Sequence, residues 1–292
     1  MTNNFQLIEL YCAVCDKYNT TITAEAQRQS NNSSPKFTDE ECITTYVWGI
    51  MQQRTTVKSV YSFIQSYYGE WFPDLPSYQA YNKRICYLND AFKALAGLTL
   101  QDQPALSAAI DFMLDSMPII VANNKRSSSA RTAREFCNKG YCASKDMYYY
   151  GVKLHILAQS NPGSLPVSSV VSLSAASECD LTIGKQMLCD IHDINVYADK
   201  IYRDKTWFER LLRENNIKVF TPIKLAKGQP RLSLSDKLFS EAVSSIRQPI
   251  ESLFSWLQAK TCIQHASFVR SLNGLFSFIF ARIVSVCLSF NC

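Results

Sequence analysis

Three successive segments after residue 105 restrict the fold of this chain more than any other feature of its sequence. They cover residues 111–121, 147–159 and 165–173, and each is rich in the β-branched, aromatic and aliphatic residues that are typical of strands. A helix, a strand, a second helix and another strand are predicted to follow, at residues 180–191, 194–198, 206–215 and 217–223. This order predicts an α/β domain with a mixed five-stranded sheet flanked by helices.

Residues 1–100 predict a helical domain. Thr38 and Glu41 form a capping-box pattern, which predicts that a helix begins near Asp39. Further helices are predicted at residues 55–68 and 77–96, the second ended by Gly97. This pair is either a helix-turn-helix that reads DNA or a helical hairpin that only packs. The side chains that would face DNA are those of Tyr78, Tyr81, Lys83 and Arg84. The chain is therefore divided into residues 1–100 and a second domain at residues 105–292.

Positive charge is concentrated in two blocks although the net charge of the whole chain is only +5. Residues 121–160 and 200–270 each contain at least twice as many Lys and Arg as Asp and Glu, whereas residues 1–100 are close to neutral. Such blocks are expected of a surface that follows a phosphate backbone. Scattered lysines that keep the surface soluble are the alternative interpretation.

The cysteines and the apolar C-terminal segment have ordinary interpretations. Eleven cysteines without a secretory leader favour free thiols in a reducing cytoplasm. Cys12 and Cys15 have the spacing of one half of a zinc site, but the later cysteines of the N-terminal region, Cys42 and Cys86, are single, which favours small residues packed on a helix. Residues 275–290 are short for a membrane span and contain Arg282, so they predict a buried helix.

Two carboxylates occupy predicted strand positions, where aspartate is uncommon. The element order matches that of the ribonuclease-H-like fold, in which the first and fourth strands are neighbours. Asp115 lies in the first strand and Asp199 at the end of the fourth, so the two would face each other and would repel unless a divalent cation neutralised them. Oxygen ligands favour Mg²⁺ or Mn²⁺. Glu251 is the candidate third acid, on a helix with an apolar face, and Arg247 lies one turn before it.

Four blocks of this sequence resemble, in order, those of DDE-type transposases of bacterial insertion sequences. They are DSMPI from Asp115, YYYGVKLHIL at residues 148–157, VYADKIY around Asp199 and RQPIESLFSWL around Glu251. FPDLPSYQAYNKR at residues 72–84 also resembles the segment before the catalytic domain in one group of these elements. Two positions depart from the family pattern, since Ser244 and Gln258 stand where relatives often have Tyr and Lys.

The resemblance implies a ribonuclease-H-like catalytic domain that cleaves DNA and transfers strands. It implies that Asp115, Asp199 and Glu251 hold two Mg²⁺ or Mn²⁺ ions. One ion would activate water for attack on a phosphodiester at the transposon end, and the other would stabilise the leaving 3′ oxygen. Two alternatives remain at this stage, namely a catalytically inactive DNA-binding remnant and a nuclease of the same fold that does not transfer strands.

The expected partners are the double-stranded DNA of the transposon ends and of the target, with no membrane. A homodimer on DNA in the bacterial cytoplasm is expected because two transposon ends must be joined. The predicted DNA contacts are Lys125, Arg126, Arg131, Arg134, Lys153, Lys200 and Arg247.

The long connection at residues 122–145 yields the first testable prediction. It is far longer than a tight hairpin and rich in Lys, Arg, Ser and Asn, which suits phosphate contact. Replacing Lys125, Arg126, Arg131 and Arg134 together with Ala should weaken binding of an end-containing duplex and reduce its salt dependence, measured by fluorescence anisotropy at several salt concentrations. Unchanged affinity and salt slope would exclude this segment from DNA binding.

Overall fold

The computed structural model describes residues 2–24, 26, 35–103, 110–225, 228–229 and 231–289. The chain divides into two compact units. The first is mainly helical and consists of Met1–Gln103, Arg131–Glu135 and Leu257–Cys292. The second contains the sheet and consists of Pro104–Ala130 and Phe136–Trp256.

The sheet unit contains six strands among its described residues. They are β1 (Asp111–Ala122), β2 (Asn138–Cys142), β3 (Met147–Gln159), β4 (Val167–Ala175), β5 (Asn195–Ala198) and β6 (Lys218–Phe220). The strand order is β2-β3-β1-β5-β6, and β4 also pairs with β3. β3 is antiparallel to β1, β2 and β4, whereas β1, β5 and β6 are parallel to one another. This mixed α/β arrangement confirms the ribonuclease-H-like fold, and all five predicted strands are present.

The sixth strand, β2, was not predicted. It lies within the connection at residues 122–145, and its five residues form a hairpin with the start of β3. Its sequence, NKGYC, is short and contains glycine, asparagine and lysine, which are depleted in strands, and Tyr141 is its one residue of a type enriched in strands. Pairing with β3 supplies the backbone hydrogen bonds that make it a strand.

One apolar cluster of the sheet unit joins strands to the helices α6 (Asp180–Met187) and α7 (Lys205–Asn215). Leu114, Leu157 and Val196 come from the strands, and Ile183 and Trp207 come from the helices. All five side chains are buried, and burial of each aliphatic side chain stabilises the fold by about 1.5–3 kcal/mol. α6 ends at Met187, whereas the sequence predicts a helix as far as residue 191; Leu188, just after the helix, still belongs to the buried cluster.

The helical unit contains α1 (Thr2–Lys17), α2 (Asp39–Met51), α3 (Val57–Tyr68), α4 (Tyr78–Tyr87), α5 (Asn89–Gln101) and α10 (Leu272–Ser289). The predicted capping box is confirmed, since Thr38 and Glu41 exchange side-chain and backbone hydrogen bonds and α2 begins at Asp39. The helix predicted at residues 77–96 is instead two helices, which meet at the fully buried Leu88. Gly97 lies inside α5 and does not end it.

The side chains proposed to read DNA from α4 are partly committed to this unit. Tyr81 is fully buried, and its hydroxyl lies 3.1 Å from that of Thr45. Arg84 forms an ion pair with the buried Asp39. Of the four candidates, Lys83 is exposed and Tyr78 is half-buried. These contacts favour a packing role for most of α4, and DNA binding by this helix stays a prediction.

The C-terminal helix α10 is a buried helix, as predicted. By length and composition it is long and apolar enough to span a membrane, but 67% of it is buried within the protein. Arg282 lies fully buried in its middle and donates hydrogen bonds to the carbonyl oxygens of Thr261, Phe278 and Thr55. The helix belongs to the helical unit, whereas the sequence-based division grouped residues 257–292 with the second domain. Apolar composition identifies a buried helix but does not identify the core that buries it.

Gly151 in β3 gives a prediction about stability. A Cβ atom at this position would lie 2.0 Å from the backbone oxygen of Ile119 on β1, so any side chain must force the two strands apart. Gly151→Ala should lower the free energy of unfolding by about 2–3 kcal/mol, measured by urea denaturation. The matched control is Gly97→Ala in α5, where a Cβ meets nothing within 4 Å and helix propensity should raise stability by about 0.5–1 kcal/mol. Equal effects of the two substitutions would contradict this account.

Candidate active site

The strand register brings two of the three predicted acids to neighbouring positions. β1 and β5 run parallel and pair as far as Leu114 and Ala198, and the next residues along the two strands are Asp115 and Asp199. β5 ends there, and the Oδ1 atom of Asp199 accepts a hydrogen bond of 2.7 Å from the backbone N–H of Lys200. Asp199 therefore caps the short 3-10 helix Lys200–Tyr202 that follows the strand.

Asp115 is held by two hydrogen bonds. Its Oδ1 atom accepts a bond of 2.8 Å from the backbone N–H of Ser116, and its Oδ2 atom accepts one of 2.5 Å from Nη1 of Arg247. Burial raises the pKa of Asp115 to about 6, while the guanidinium of Arg247 opposes this and the charge of Asp199 adds to it. The pKa of Asp115 is therefore raised even with the Arg247 guanidinium beside it.

Arg247 also binds the third predicted acid. Its Nη2 atom donates a hydrogen bond of 2.7 Å to Oε1 of Glu251, so one guanidinium joins Asp115 to Glu251. The side chain of Arg247 is 16% exposed, compared with 59% for Glu251. All three predicted acids are thus connected to one region of the sheet unit, Asp199 through the strand register and Glu251 through Arg247.

Pro249 marks the boundary between the helix that carries Arg247 and the helix that carries Glu251. The helix α8 (Leu234–Arg247) ends just before Gln248, and α9 (Pro249–Thr261) begins at the proline. Proline suits a first helical position because it has no N–H that would need a partner within the helix. Pro249 is the first residue of α9, and Glu251 lies in the first turn of this helix. The burial of apolar side chains differs between the two helices, since Phe239 and Ile246 of α8 are exposed while Ile250 and Leu253 of α9 are buried.

A metal ion has suitable ligands here but no completed cluster. Among the described residues, no three His, Cys, Asp or Glu side chains converge closely enough to hold a metal ion. The oxygen atoms are of the type that Mg²⁺ and Mn²⁺ prefer, and a cation already bridges two of the acids in the form of the Arg247 guanidinium. Asp115 and Glu251 therefore fit a divalent cation chemically, provided that Arg247 moves from between them.

A second polar network, which the sequence did not reveal, begins one residue after Asp115. The Ser116 hydroxyl donates a hydrogen bond of 3.2 Å to Asp180, the first residue of α6. Nζ of Lys153 donates to the other oxygen of Asp180 at 2.8 Å and to the carbonyl oxygen of Glu178 at 2.8 Å. The Lys153 and Asp180 side chains are only 16% and 12% exposed. An acid in the first turn of a helix was the available signal, but it is common and by itself indicates only helix capping.

The predicted DNA-binding residues lie in different environments. Lys125, Arg126, Arg131, Arg134 and Lys200 are exposed, as phosphate contacts require. Lys153 is engaged by Asp180, and Arg247 is engaged by Asp115 and Glu251. The two engaged residues would have to exchange these partners before they could bind DNA.

The comparison with protein families decides the assignment that this geometry suggests. Residues 105–271 match the family described as "Transposase DDE domain", which is more than half of the 292-residue chain. The chain belongs to this transposase family. Comparisons with curated proteins and with solved structures give no match. The matched region of the DDE domain ends at residue 271, immediately before α10 begins at Leu272, and it contains all six strands and the three acids.

His155 of the DDE domain is a buried histidine beside the second network. Its Nε2 atom lies 2.8 Å from the hydroxyl of Ser174, and its Nδ1 atom has no hydrogen-bond partner among the described residues. Burial lowers the pKa of His155 to about 4; the charge of Asp180 opposes this effect and the charge of Lys153 adds to it. His155 is therefore neutral in the folded protein near neutral pH.

This histidine makes folding stability depend on pH. The unfolded chain binds a proton at His155 below about pH 6.5, whereas the folded chain binds it only near pH 4. Stability should therefore fall as the pH decreases from about 6.5 to 4. His155→Gln should reduce that loss by on the order of 2 kcal/mol, measured by urea denaturation at several pH values. His192→Gln removes a histidine from an exposed position and serves as the control; an identical pH profile in both variants would contradict the assignment.

Proposed function

We propose that this transposase-family protein catalyses metal-dependent cleavage of DNA at the ends of an insertion sequence and joins the freed ends to target DNA. The main support for the proposal is that Asp115, Asp199 and Glu251 are connected within the DDE domain. Asp115 and Asp199 end up side by side through the β1–β5 register, and Glu251 is linked to Asp115 by Arg247. A protein that only bound DNA would have no need for a half-buried carboxylate in the middle of a strand.

Asp115, Asp199 and Glu251 are the proposed ligands of two Mg²⁺ or Mn²⁺ ions. When bound, such ions supply Lewis-acid activation of water and neutralise charge on the leaving 3′ oxygen. The raised pKa of Asp115 supports this role, because a buried carboxyl group that resists ionisation gains the most from a nearby divalent cation. The position of Arg247 between Asp115 and Glu251 supports the metal-binding role as well, since these two carboxylates are already neutralised by a positive charge.

Arg247 is proposed to exchange its partners during the reaction. Its guanidinium compensates the acids in the absence of a divalent cation, and arginine binds phosphate in the same two-pronged manner as carboxylate. With Asp115 and Glu251 engaged as metal ligands, Arg247 would be free to bind the phosphate beside the bond that is cleaved. The residue would then orient DNA against the reacting atoms.

The residues around Asp115 are proposed to keep it in place while its partners change. The Ser116 N–H donates to Asp115, and the Ser116 hydroxyl is tied to Asp180 and thus to Lys153. This chain of hydrogen bonds fixes the strand backbone at the site from the other side of the sheet. Lys153 is already used in this network, so its predicted contact with DNA requires release from Asp180.

DNA is proposed to approach over the exposed cations. Lys125, Arg126, Arg131, Arg134 and Lys200 would contact phosphates of the transposon end and of the target. Joining two ends at one target requires two active sites, so we propose that the protein acts as a homodimer on DNA in the cytoplasm.

Cleavage of a labelled duplex that contains the element's end tests the proposal. In Mg²⁺ or Mn²⁺, Asp199→Asn and Glu251→Gln should each lower the cleavage rate by at least about a hundredfold, more than is usual for loss of a residue that only supports a metal ligand. Matched controls are Asp190→Asn and Glu241→Gln, which make the same chemical changes at exposed positions of the same unit. Both controls should cleave as the unaltered chain does.

Three other outcomes of this assay would each contradict part of the proposal. Tight binding without cleavage by the unaltered chain would identify an inactive DNA-binding remnant. Cleavage without joining of the freed 3′ end to a target duplex would identify a nuclease. Cleavage retained in Asp199→Asn would show that the acids are assigned incorrectly.

A further inference from the structure

The hairpin of β2 and β3 carries two exposed aromatic side chains that the proposed reaction does not use. Tyr141 and Tyr148 lie directly opposite each other in the register of the two strands, with ring centroids 5.1 Å apart. They are 48% and 49% exposed, whereas the following Tyr149 and Tyr150 are buried. Large aromatic side chains exposed as a pair are a common feature of surfaces that bind another molecule.

A lysine and a hydrogen bond hold the two tyrosine rings in place. Nζ of Lys139 lies 4.5 Å from the centroid of the Tyr148 ring, which is a cation–π contact. The Tyr141 hydroxyl donates a hydrogen bond of 2.5 Å to Oδ1 of Asp146, and Asp146 has a left-handed backbone conformation where the hairpin turns into β3. The ring of Tyr141 is therefore oriented before any partner binds. Lys139, Tyr141 and Tyr148 are called the hairpin platform below.

The charges near the hairpin platform indicate the class of partner. β1 ends at Ala122 opposite Tyr150, so the exposed Lys125 and Arg126 that follow β1 lie at the same end of the sheet as the hairpin. Lys145 in the hairpin turn is exposed as well. Aromatic rings next to several cations fit a nucleic acid strand, because bases stack on the rings while ammonium and guanidinium groups contact the phosphates.

We propose that the hairpin platform binds unpaired bases of a DNA strand by stacking them on Tyr141 and Tyr148. In an intact duplex the faces of each base are covered by the neighbouring base pairs, so the rings can stack only on bases that are unpaired or at an end. The carboxylate of Asp146 points to the same preference, since it would repel a phosphate at Tyr141 but does not repel the face of a base.

The distance of the hairpin platform from Asp115 fits a DNA strand that continues from the active site. Asp115 pairs with Ile156 of β3, and Tyr148 lies eight positions earlier on the same strand. At about 3.3 Å per residue, this separation is about 26 Å, which is the length of about eight base pairs of duplex. The inference rests on the proposed function in one respect, namely that the chain binds DNA. It adds that this surface recognises unpaired bases.

Binding of single-stranded and double-stranded DNA by the full-length chain tests this inference. The probe is a fluorescein-labelled oligothymidylate of about 20 nucleotides, longer than the 4–16 that one stacking module covers, and the comparison is a duplex of equal length. Both are measured by anisotropy in EDTA, so that no cleavage occurs. Tyr141→Ala and Tyr148→Ala should each weaken single-strand binding about fivefold to tenfold and change duplex binding less than about twofold.

Conservative variants separate stacking from other effects of these substitutions. Tyr141→Phe and Tyr148→Phe keep the aromatic face and should bind the single strand as the unaltered chain does. Lys139→Ala should reduce the slope of log affinity against log salt by about 0.7 for the single strand. If the Ala variants fold poorly, a second measurement remains: an oligonucleotide that carries 5-iodouracil should crosslink under ultraviolet light to Tyr141 or Tyr148 of the unaltered chain.

The results that overturn the inference are distinct from those that overturn the proposed function. Equal loss of single-strand and duplex affinity, unchanged affinity in both Ala variants, or crosslinks confined to other residues would each exclude base stacking on the hairpin platform. None of these results depends on Asp199 or on a metal ion. Loss of single-strand binding in the Ala variants combined with cleavage retained in Asp199→Asn would support the hairpin platform and reject the assigned acids.

Discussion

The guanidinium of Arg247 joins Asp115 to Glu251, two carboxylates that are 136 positions apart in the sequence. A mostly buried carboxylate on a central strand lowers stability unless a cation or hydrogen bonds compensate it. Arg247 supplies the cation from the last position of α8, just before α9 begins at Pro249. The approach of Glu251 to the sheet therefore depends on one ion-paired arginine and on the break between two helices.

Because side chains alternate along β1, neighbouring residues of this strand contact groups on opposite faces of the sheet. Asp115 points to Arg247, and the next residue, Ser116, points to the network of Asp180 and Lys153. A carboxylate that must bind and release cations benefits from a backbone that does not move with it. The buried Lys153–Asp180 pair supplies this rigidity, since breaking a buried pair by removing one partner typically costs about 3–5 kcal/mol.

Much of the DDE domain was predictable because its strands carry their own signal. The composition of residues 111–121 and 147–159 identified β1 and β3 almost to the residue, and aspartate inside a strand marked Asp115 as unusual. The strand β2 was missed because three of the five residues of NKGYC are of types depleted in strands, and the segment is a strand through its pairing with β3. Asp180 was missed for a related reason, since an acid in a helix's first turn is ordinary until a lysine from another strand is found beside it.

Local sequence thus determined the order of helices and strands, the capping box at Thr38 and the family resemblance, because these depend on residues close together in the chain. Tertiary structure alone decided the rest. It showed that Arg247 is shared by two acids and that α10 is buried in the helical unit. It also showed that Tyr141 and Tyr148 remain exposed while Tyr149 and Tyr150 are buried. These properties depend on which distant segments are brought into contact, and backbone pairing and burial are set by the whole fold rather than by the local pattern.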